Sequence, residues 1–291
     1  MSNVDIPVID ATASDTPLYR RALEALEKSD LPPALLQKEW FCPQPWLIIC
    51  GGGHVAWDLA KMAACLDLRI KVMDDRPEFA NRERFPFVDE VVCDSFANFG
   101  RYLEPNAFYV VVTRGHQDDL ACVRAVLGSD YRYLGMMGSR NKVANAFTAL
   151  ETEGFSKEQL QSIFAPIGLP ISAVTPAEIA VSILAEIIRE KNKTHAASAT
   201  RELLSVEELG VLCIITEKRG SSPRGAGSMM FVGKSGNILG SIGGGPVESE
   251  AIADAGTLST PKLQTYHLHM QDSANLGMVC GGSIQVLFIP V

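Results

Sequence analysis

The sequence predicts an α/β protein in two parts, an N-terminal Rossmann-like parallel-sheet domain followed by a smaller C-terminal α+β domain. Three observations carry this expectation. From Trp46 onward, short continuous apolar runs alternate with helical stretches, the pattern of strands buried on both faces by crossover helices. A polar stretch, KNKTHAASATRE, interrupts that pattern near residue 195. Beyond it, strand-like runs are separated by glycine-rich turns with one helix among them.

In chain order, PLYRRALEALEKSD carries Leu18, Ala22, Leu23 and Leu26 at helical spacing with charges opposite, which predicts a short amphipathic helix. Pro32, Pro33, Pro43 and Pro45 punctuate a connector. WLIIC, RIKVMD, EVVC, FYVVVT and YRYLGMMG then read as strands, with helices through VAWDLAKMAACLD and DLACVRAVLG. TPAEIAVSILAEIIREKN reads as a long helix, with Thr175 as its N-cap and Pro176 at its first position. In the second part GVLCIIT, SMMFVG, NILGSIG and SIQVLFIPV read as strands and GPVESEAIADA as a helix. The expected division is 1–45 for the N-terminal helix and connector, 46–195 for the nucleotide-binding domain and 196–291 for the last domain.

A length of 291 residues suits two domains. The net charge of −8 tells against nucleic acid or an anionic membrane as a partner, since both need a basic surface. MSNVDIPVIDATASD lacks the basic and apolar regions of a secretory signal, and AEIAVSILAEII is short and contains Glu178 and Glu186. A cytoplasmic homodimer is expected. Seven cysteines without a CxxC do not make a disulfide framework. Cys50, Cys93, Cys122 and Cys213 lie in apolar runs and read as small buried hydrophobes. Cys280 differs, set between Gly277 and Gly281-Gly282, where a ligand, a nucleophile or a filler would each fit.

LIICGGGHVAWDLA places Gly51, Gly53 and Ala56 in a GxGxxA pattern between a strand and a helix, where backbone can approach a pyrophosphate at the helix N-terminus. Asp74 closes the next strand, at the position of an acid that accepts ribose hydroxyls. Asp74-Asp75 favours NAD over NADP, although Arg76 leaves the 2′-phosphate open. A ligand-free glycine turn is the competing reading. His54 would orient the loop. TRGHQDD sets Thr113, Arg114, Gly115 and His116 at a strand end, with His116 as a candidate acid or base, and GMMGSR sets Gly138, Ser139 and Arg140 at the next. EKRGSSPRGAGSMMF supplies Gly220, Ser221, Ser222, Arg224 and Gly227 for an oxyanion, and in LGSIGGGPVESEA the turn Gly243, Gly244, Gly245 feeds a helix carrying Glu248. His267 and His269 share a strand face, but lack a third ligand of clear spacing.

GSSPRGAG, GSIGGGPVE and GMVCGG resemble the signatures of the CoxI-type domain in the xanthine dehydrogenase accessory factor family, the XdhC/CoxI type. The stretch from LIICGGGHVAWDLA to RERFP, with VVVTRGHQDD, YLGMMGSRNKV and PIGLPISAVTPAEIAVSILAEI, resembles that family's Rossmann domain. The resemblance spans nearly all of residues 46–291. It implies a maturation role: binding the molybdenum cofactor (molybdopterin), assisting its sulfuration and handing it to an apo molybdenum hydroxylase, with a cysteine desulfurase as a further partner. It also implies pterin, phosphate or metal contacts at Ser221, Ser222, Arg224, Gly243, Gly244, Gly245 and Glu248. Cys280 becomes the candidate contact to molybdenum or to the transferred sulfur. In the commoner family arrangement the CoxI-type domain comes first; here the order is reversed, and residues 1–45 resemble the stretch joining the two domains. Those residues are therefore expected to belong in part with the C-terminal unit. The alternative function is an NAD(P)-dependent oxidoreductase acting on its own small substrate, with His116 and Arg114 as its candidates for the chemistry.

Overall fold

The computed structural model describes residues 16–42, 44–66, 68–194, 199–220, 224–268 and 282–291. The chain divides into two compact units, Pro45–His195 and a second that joins Met1–Gln44 to Ala196–Val291. Helix α1 (Pro17–Glu27) belongs to the second.

The Pro45–His195 unit runs β1 (Trp46–Cys50), α2 (His54–Ala63), β2 (Arg69–Asp74), β3 (Glu90–Cys93), β4 (Ala107–Val111), α3 (His116–Leu127), β5 (Tyr131–Met136), α4 (Arg140–Thr152), α5 (Lys157–Gln161) and α6 (Pro176–Lys191). The strands form one parallel sheet in the order β3-β2-β1-β4-β5. One face of its central strands, Leu47, Ile49, Val72, Phe108 and Val110, packs with α2 and α6; Ile48, Cys50, Tyr109 and Val111 on the other pack with α3 and α4. The continuous apolar runs arise because both faces are covered. Ala56, Ala60 and Ala63 give α2 a low-profile packing side. Successive strands run outward from β1 in both directions, so the order reverses between β1 and β4, where ligands of open parallel sheets bind.

Thr175 caps α6, its Oγ1 accepting from the Glu178 amide at 3.3 Å while the Glu178 carboxylate accepts from the Thr175 amide at 2.9 Å. Within α6, buried Glu186 accepts from the Tyr133 hydroxyl at 2.8 Å and the Gly168 amide at 2.9 Å. The segment before α6 is thereby tied to β5, and Phe164 continues the tie by pairing with Gly135 and stacking on Tyr133 at 4.7 Å. Helix α4, with Val143, Ala146 and Leu150 at helical spacing, is an element the sequence reading passed over. Cys93, expected as a buried hydrophobe, is exposed. It ends edge strand β3, where among the described residues one flank has no neighbouring strand.

The second unit contains α7 (Arg201–Leu204), β6 (Gly210–Arg219), β7 (Met229–Gly233), β8 (Ile238–Gly240), α8 (Gly245–Ala255), β9 (Lys262–Leu268) and β10 (Gly282–Pro290). Its sheet is antiparallel, in the order β8-β7-β6-β10-β9. Side chains alternate between two cores. Val211, Cys213, Ile215, Met230, Val286 and Phe288 face Val247, Ala251 and Ala255 of α8. Leu212, Ile214, Phe231, Leu287 and Ile289 face Leu18, Ala22 and Leu26 of α1, with Trp40, Phe41, Leu203 and Leu204 completing the layer. Arg21 fastens α1 further, donating to the carbonyls of Val206 at 2.7 Å and Glu208 at 3.2 Å. Residues more than 180 positions upstream thus form one side of this core. Among the described residues, no helix is long and apolar enough to cross a membrane.

Candidate functional site

The β1–α2 turn is built from three glycines with unlike duties. Gly51 adopts φ +116°, and a Cβ there would lie 2.5 Å from the Val112 carbonyl oxygen; at Gly52 a Cβ would lie 2.3 Å from that of Phe79. These two glycines admit the backbone of neighbouring loops. A Cβ on Gly53, by contrast, would meet nothing within 4 Å. Gly53 is the N-cap of α2; among the described residues no side chain caps that helix end, and its first turn carries no acid. The first amide N–H groups of α2 therefore keep their partial positive charge, which suits a phosphate. His54 stands exposed at the first helical position, and Ala56 is buried beneath the turn.

Asp74, the expected ribose acceptor, is buried and fully engaged within the protein. Its Oδ2 accepts from the Gly52 amide at 2.7 Å and Arg76 Nη2 at 3.0 Å; its Oδ1 accepts from Arg76 Nε at 2.8 Å and the Arg76 amide at 3.1 Å. Burial alone would raise the Asp74 pKa, but these donors outweigh it and hold the carboxyl below its ordinary range. The loop after β2 is drawn over the glycine turn in the same way. Arg84 Nε donates to the Gly52 carbonyl at 3.0 Å, and the Arg76 guanidinium lies 3.7 Å from the centroid of Phe79. Phe79 and Arg84 are residues that sequence reasoning missed, and Arg76, weighed there only for a 2′-phosphate, binds Asp74 instead; the run DDRPEFANRER carries no spacing rule that would place them on the turn.

Across the switch point, Thr113 Oγ1 donates to Asp119 Oδ1 at 2.6 Å, and buried Asp119 also forms an ion pair with Lys142 of α4. Gly115 is the N-cap of α3, and His116, its first residue, is exposed with no hydrogen-bond partner orienting its ring among the described residues. Asp118 and Asp119 occupy the first turn of α3 and already compensate its dipole, so α2 is the more receptive helix end for an anion. Burial and the nearby Asp75 charge push the Asp118 carboxyl up. Arg114 Nη2 pairs with Asp75 Oδ2 at 3.0 Å. Asp75 follows β2 and Arg114 follows β4, the two neighbours of β1, so the pair bridges the loops flanking the glycine turn. Ser139 caps α4 through the Lys142 amide at 3.3 Å, Gly138 packs against the Lys142 side chain, and Arg140 is exposed at the same strand edge.

In the second unit, Gly243 (φ +135°), Gly244 (φ +75°) and Gly245 (φ +69°) curl the chain into a ring of inward N–H groups. The anion in this nest is the protein's own. Glu248 Oε2 accepts from Ser241 Oγ at 2.6 Å and from the amides of Ile242 at 2.9 Å, Gly243 at 3.2 Å and Gly244 at 3.0 Å. Against a burial penalty, these bonds hold Glu248 below the usual carboxylate range. Gly244 and Gly245 have open space where a Cβ would lie, and Arg224 is exposed after β6. Ser221, Ser222, His269 and Cys280 lie outside the described residues. His267 is exposed on β9, and among the described residues no group of three or more His, Cys, Asp and Glu side chains could hold a metal.

Comparison with known proteins adds the following. Residues 47–187 match the model of the XdhC Rossmann domain, and residues 203–267 match that of the XdhC and CoxI family. The uncharacterised protein YqeB of Escherichia coli is 34% identical over 152 residues, 51% of this chain and 28% of its own length. A Bacillus subtilis protein, named as a probable xanthine dehydrogenase subunit, is 29% identical over 155 residues, 52% of this chain and 44% of its own. The chain thus spans less than half the length of either curated relative. A crystal structure of a xanthine dehydrogenase from Bacillus halodurans is 27% identical, with a TM-score of 0.49, covering 62% of this chain and 53% of that one.

Proposed function

The chain belongs to the XdhC and CoxI family, and from that premise we propose that it is an accessory factor of a molybdenum hydroxylase of the xanthine dehydrogenase type. On this reading it binds the molybdenum cofactor, assists its sulfuration or insertion, and docks on the apo-hydroxylase, with a cysteine desulfurase supplying the sulfur. The observation that carries the reading is the presence of both family domains in one chain. The Bacillus subtilis relative, by its name a probable component of xanthine dehydrogenase, supports the class of partner.

The open end of α2 fits the phosphate of such a cofactor, and Gly53, His54 and Arg114 are the residues that would hold it. The cofactor's dithiolene end would supply the metal that receives the sulfur. Cys280, whose thiolate form suits soft-metal and sulfur chemistry, enters the reading from the sequence alone. Asp74, surrounded by four donors, weighs against a ribose diol docking on that acid. The NAD(P)-dependent oxidoreductase reading draws no support from the residue that suggested it.

The test is co-expression with a xanthine-oxidising hydroxylase. Molybdopterin should co-purify with the protein, and hydroxylase activity and cyanide-releasable sulfur should rise with wild-type protein. Cys280→Ser should fold normally by circular dichroism yet leave the hydroxylase poorly activated. Absence of pterin, together with hydroxylase activity that does not depend on the protein, would overturn the reading.

A further inference from the structure

A surface groove of about 660 Å³ lies beside the glycine turn, between α2 and the loop that joins β2 to β3. Trp57, Phe87 and Pro86 form an apolar wall, with Trp57 and Phe87 edge to face at 6.1 Å. Glu78, Asn81, Glu83 and Arg84 complete the lining, Asn81 being engaged with the Pro77 carbonyl and the Arg84 amide. The charges are unequally committed. Arg84 spends its Nε on the Gly52 carbonyl and lies over Phe79 and Phe85. Neighbouring Arg76 is held by Asp74, and Arg82 donates to the carbonyls of Val88 and Asp89. Glu78 and Glu83 are exposed and make no hydrogen bond or ion pair among the described residues. Lys61, which does not line the groove, already lies 4.8 Å from the Trp57 ring centroid, so the ring attracts a cation.

We propose that this groove is a docking surface for an arginine-bearing segment of a partner protein. A guanidinium is flat enough to lie on an indole and forked enough to meet a carboxylate with two parallel N–H groups, which an ammonium does not do. The groove is open, so a small ligand would stay largely in water, whereas a protein segment would cover the aromatic wall. Docking here would also be felt at the site. Trp57 Nε1 donates to the Arg84 carbonyl at 3.2 Å, and Arg84 in turn holds Gly52, so pressure on Trp57 reaches the glycine turn through two hydrogen bonds. The inference does not require the partner to be a hydroxylase.

The probe is the tripeptide Ac-Gly-Arg-Gly-NH2, titrated into the ¹⁵N-labelled 291-residue chain, with its citrulline counterpart as the neutral isostere. The expected result is a saturable shift of the Trp57 indole signal, assigned through Trp57→Phe, together with the Gly52 amide signal. Citrulline should bind roughly tenfold more weakly, the usual scale for losing a charge-assisted contact. Glu78→Gln with Glu83→Gln should weaken the arginine peptide similarly while leaving thermal unfolding in place, because both side chains are exposed. No shift with the arginine peptide, equal binding of citrulline, or full binding by the double variant would overturn the proposal. A matching response to guanidinium chloride at the same concentration would make this a small-cation site and overturn the peptide occupant.

Discussion

Replacing Asp74 by Asn removes one charge and keeps the shape, at a carboxylate 2% exposed that accepts four hydrogen bonds. Three of those bonds come from Arg76, and an Asn amide would turn an NH2 toward donors that now meet oxygen. Breaking a fully buried ion pair on one side costs about 3–5 kcal/mol. The Arg76 side chain is 22% exposed and can recover some hydration, so about 2–3 kcal/mol is expected. With a urea m-value of about 1–3 kcal/mol per molar, the midpoint should fall by roughly 1 M. Fluorine NMR of 5-fluorotryptophan protein reads this at Trp46 and Trp57, which lie in the same unit as Asp74. The pH dependence has a defined sign. The folded pKa of Asp74 is depressed, so its stabilisation is complete above the unfolded value of about 3.9 and is lost only as pH falls through the lower folded value. The gap between wild type and Asp74→Asn should therefore be flat from pH 7 to 5 and close below about 4. A gap under about 0.5 kcal/mol at pH 7, the scale of an ordinary surface substitution, or one that closes already between pH 7 and 5, would refute the reasoning.

Further outcomes follow from other parts of the molecule. Gly52→Ala should lower stability by about 1–3 kcal/mol, because its Cβ would strike the Phe79 carbonyl, whereas Gly53→Ala should leave the melting temperature unchanged and weaken any phosphate ligand at α2. Glu248→Gln removes the charge from the nest; the amides of Gly243 and Gly244 should exchange with solvent several-fold faster, and that difference should shrink as pH falls through the depressed Glu248 pKa. Leu26→Ala should cost about 2–5 kcal/mol, read from the unfolding of Trp40, which shares its core.

The sequence is most legible where one physical rule governs a whole segment. Continuous apolar runs require two covered faces, which predicted the parallel sheet, and Thr175-Pro176 specified the start of α6. Legibility ends where a residue type serves two opposite ends. Glycines beside an acid suit a bound anion, but in the second unit the acid is itself the anion, because Glu248 follows the turn on the same helix and reaches back into it. At Asp74 the outcome turns on Arg76, two residues on, which could have pointed into solvent or onto a ligand phosphate and instead grips the carboxylate. Cys93 misled because an apolar run does not say whether its strand is central or at an edge.

The placement of α1 has a kinetic side. The second unit is discontinuous in sequence, so the Pro45–His195 unit is inserted into it. The two crossings lie side by side: Ala199 donates its amide to the Trp40 carbonyl at 2.8 Å and accepts from Gln44 Nε2 at 3.3 Å. If the insert folds first, the closure between these positions shrinks from 155 residues of free chain to the equivalent of about ten, worth roughly 2 kcal/mol of loop entropy. Ribosomal synthesis reinforces that sequence of events, since α1 is made before the Pro45–His195 unit, while the strands β6, β7 and β10 that carry most of its core follow that unit. The greasy side of α1, with only Leu36, Trp40 and Phe41 beside it at first, is thus held in waiting while an entire Rossmann unit is made and folded between it and its sheet.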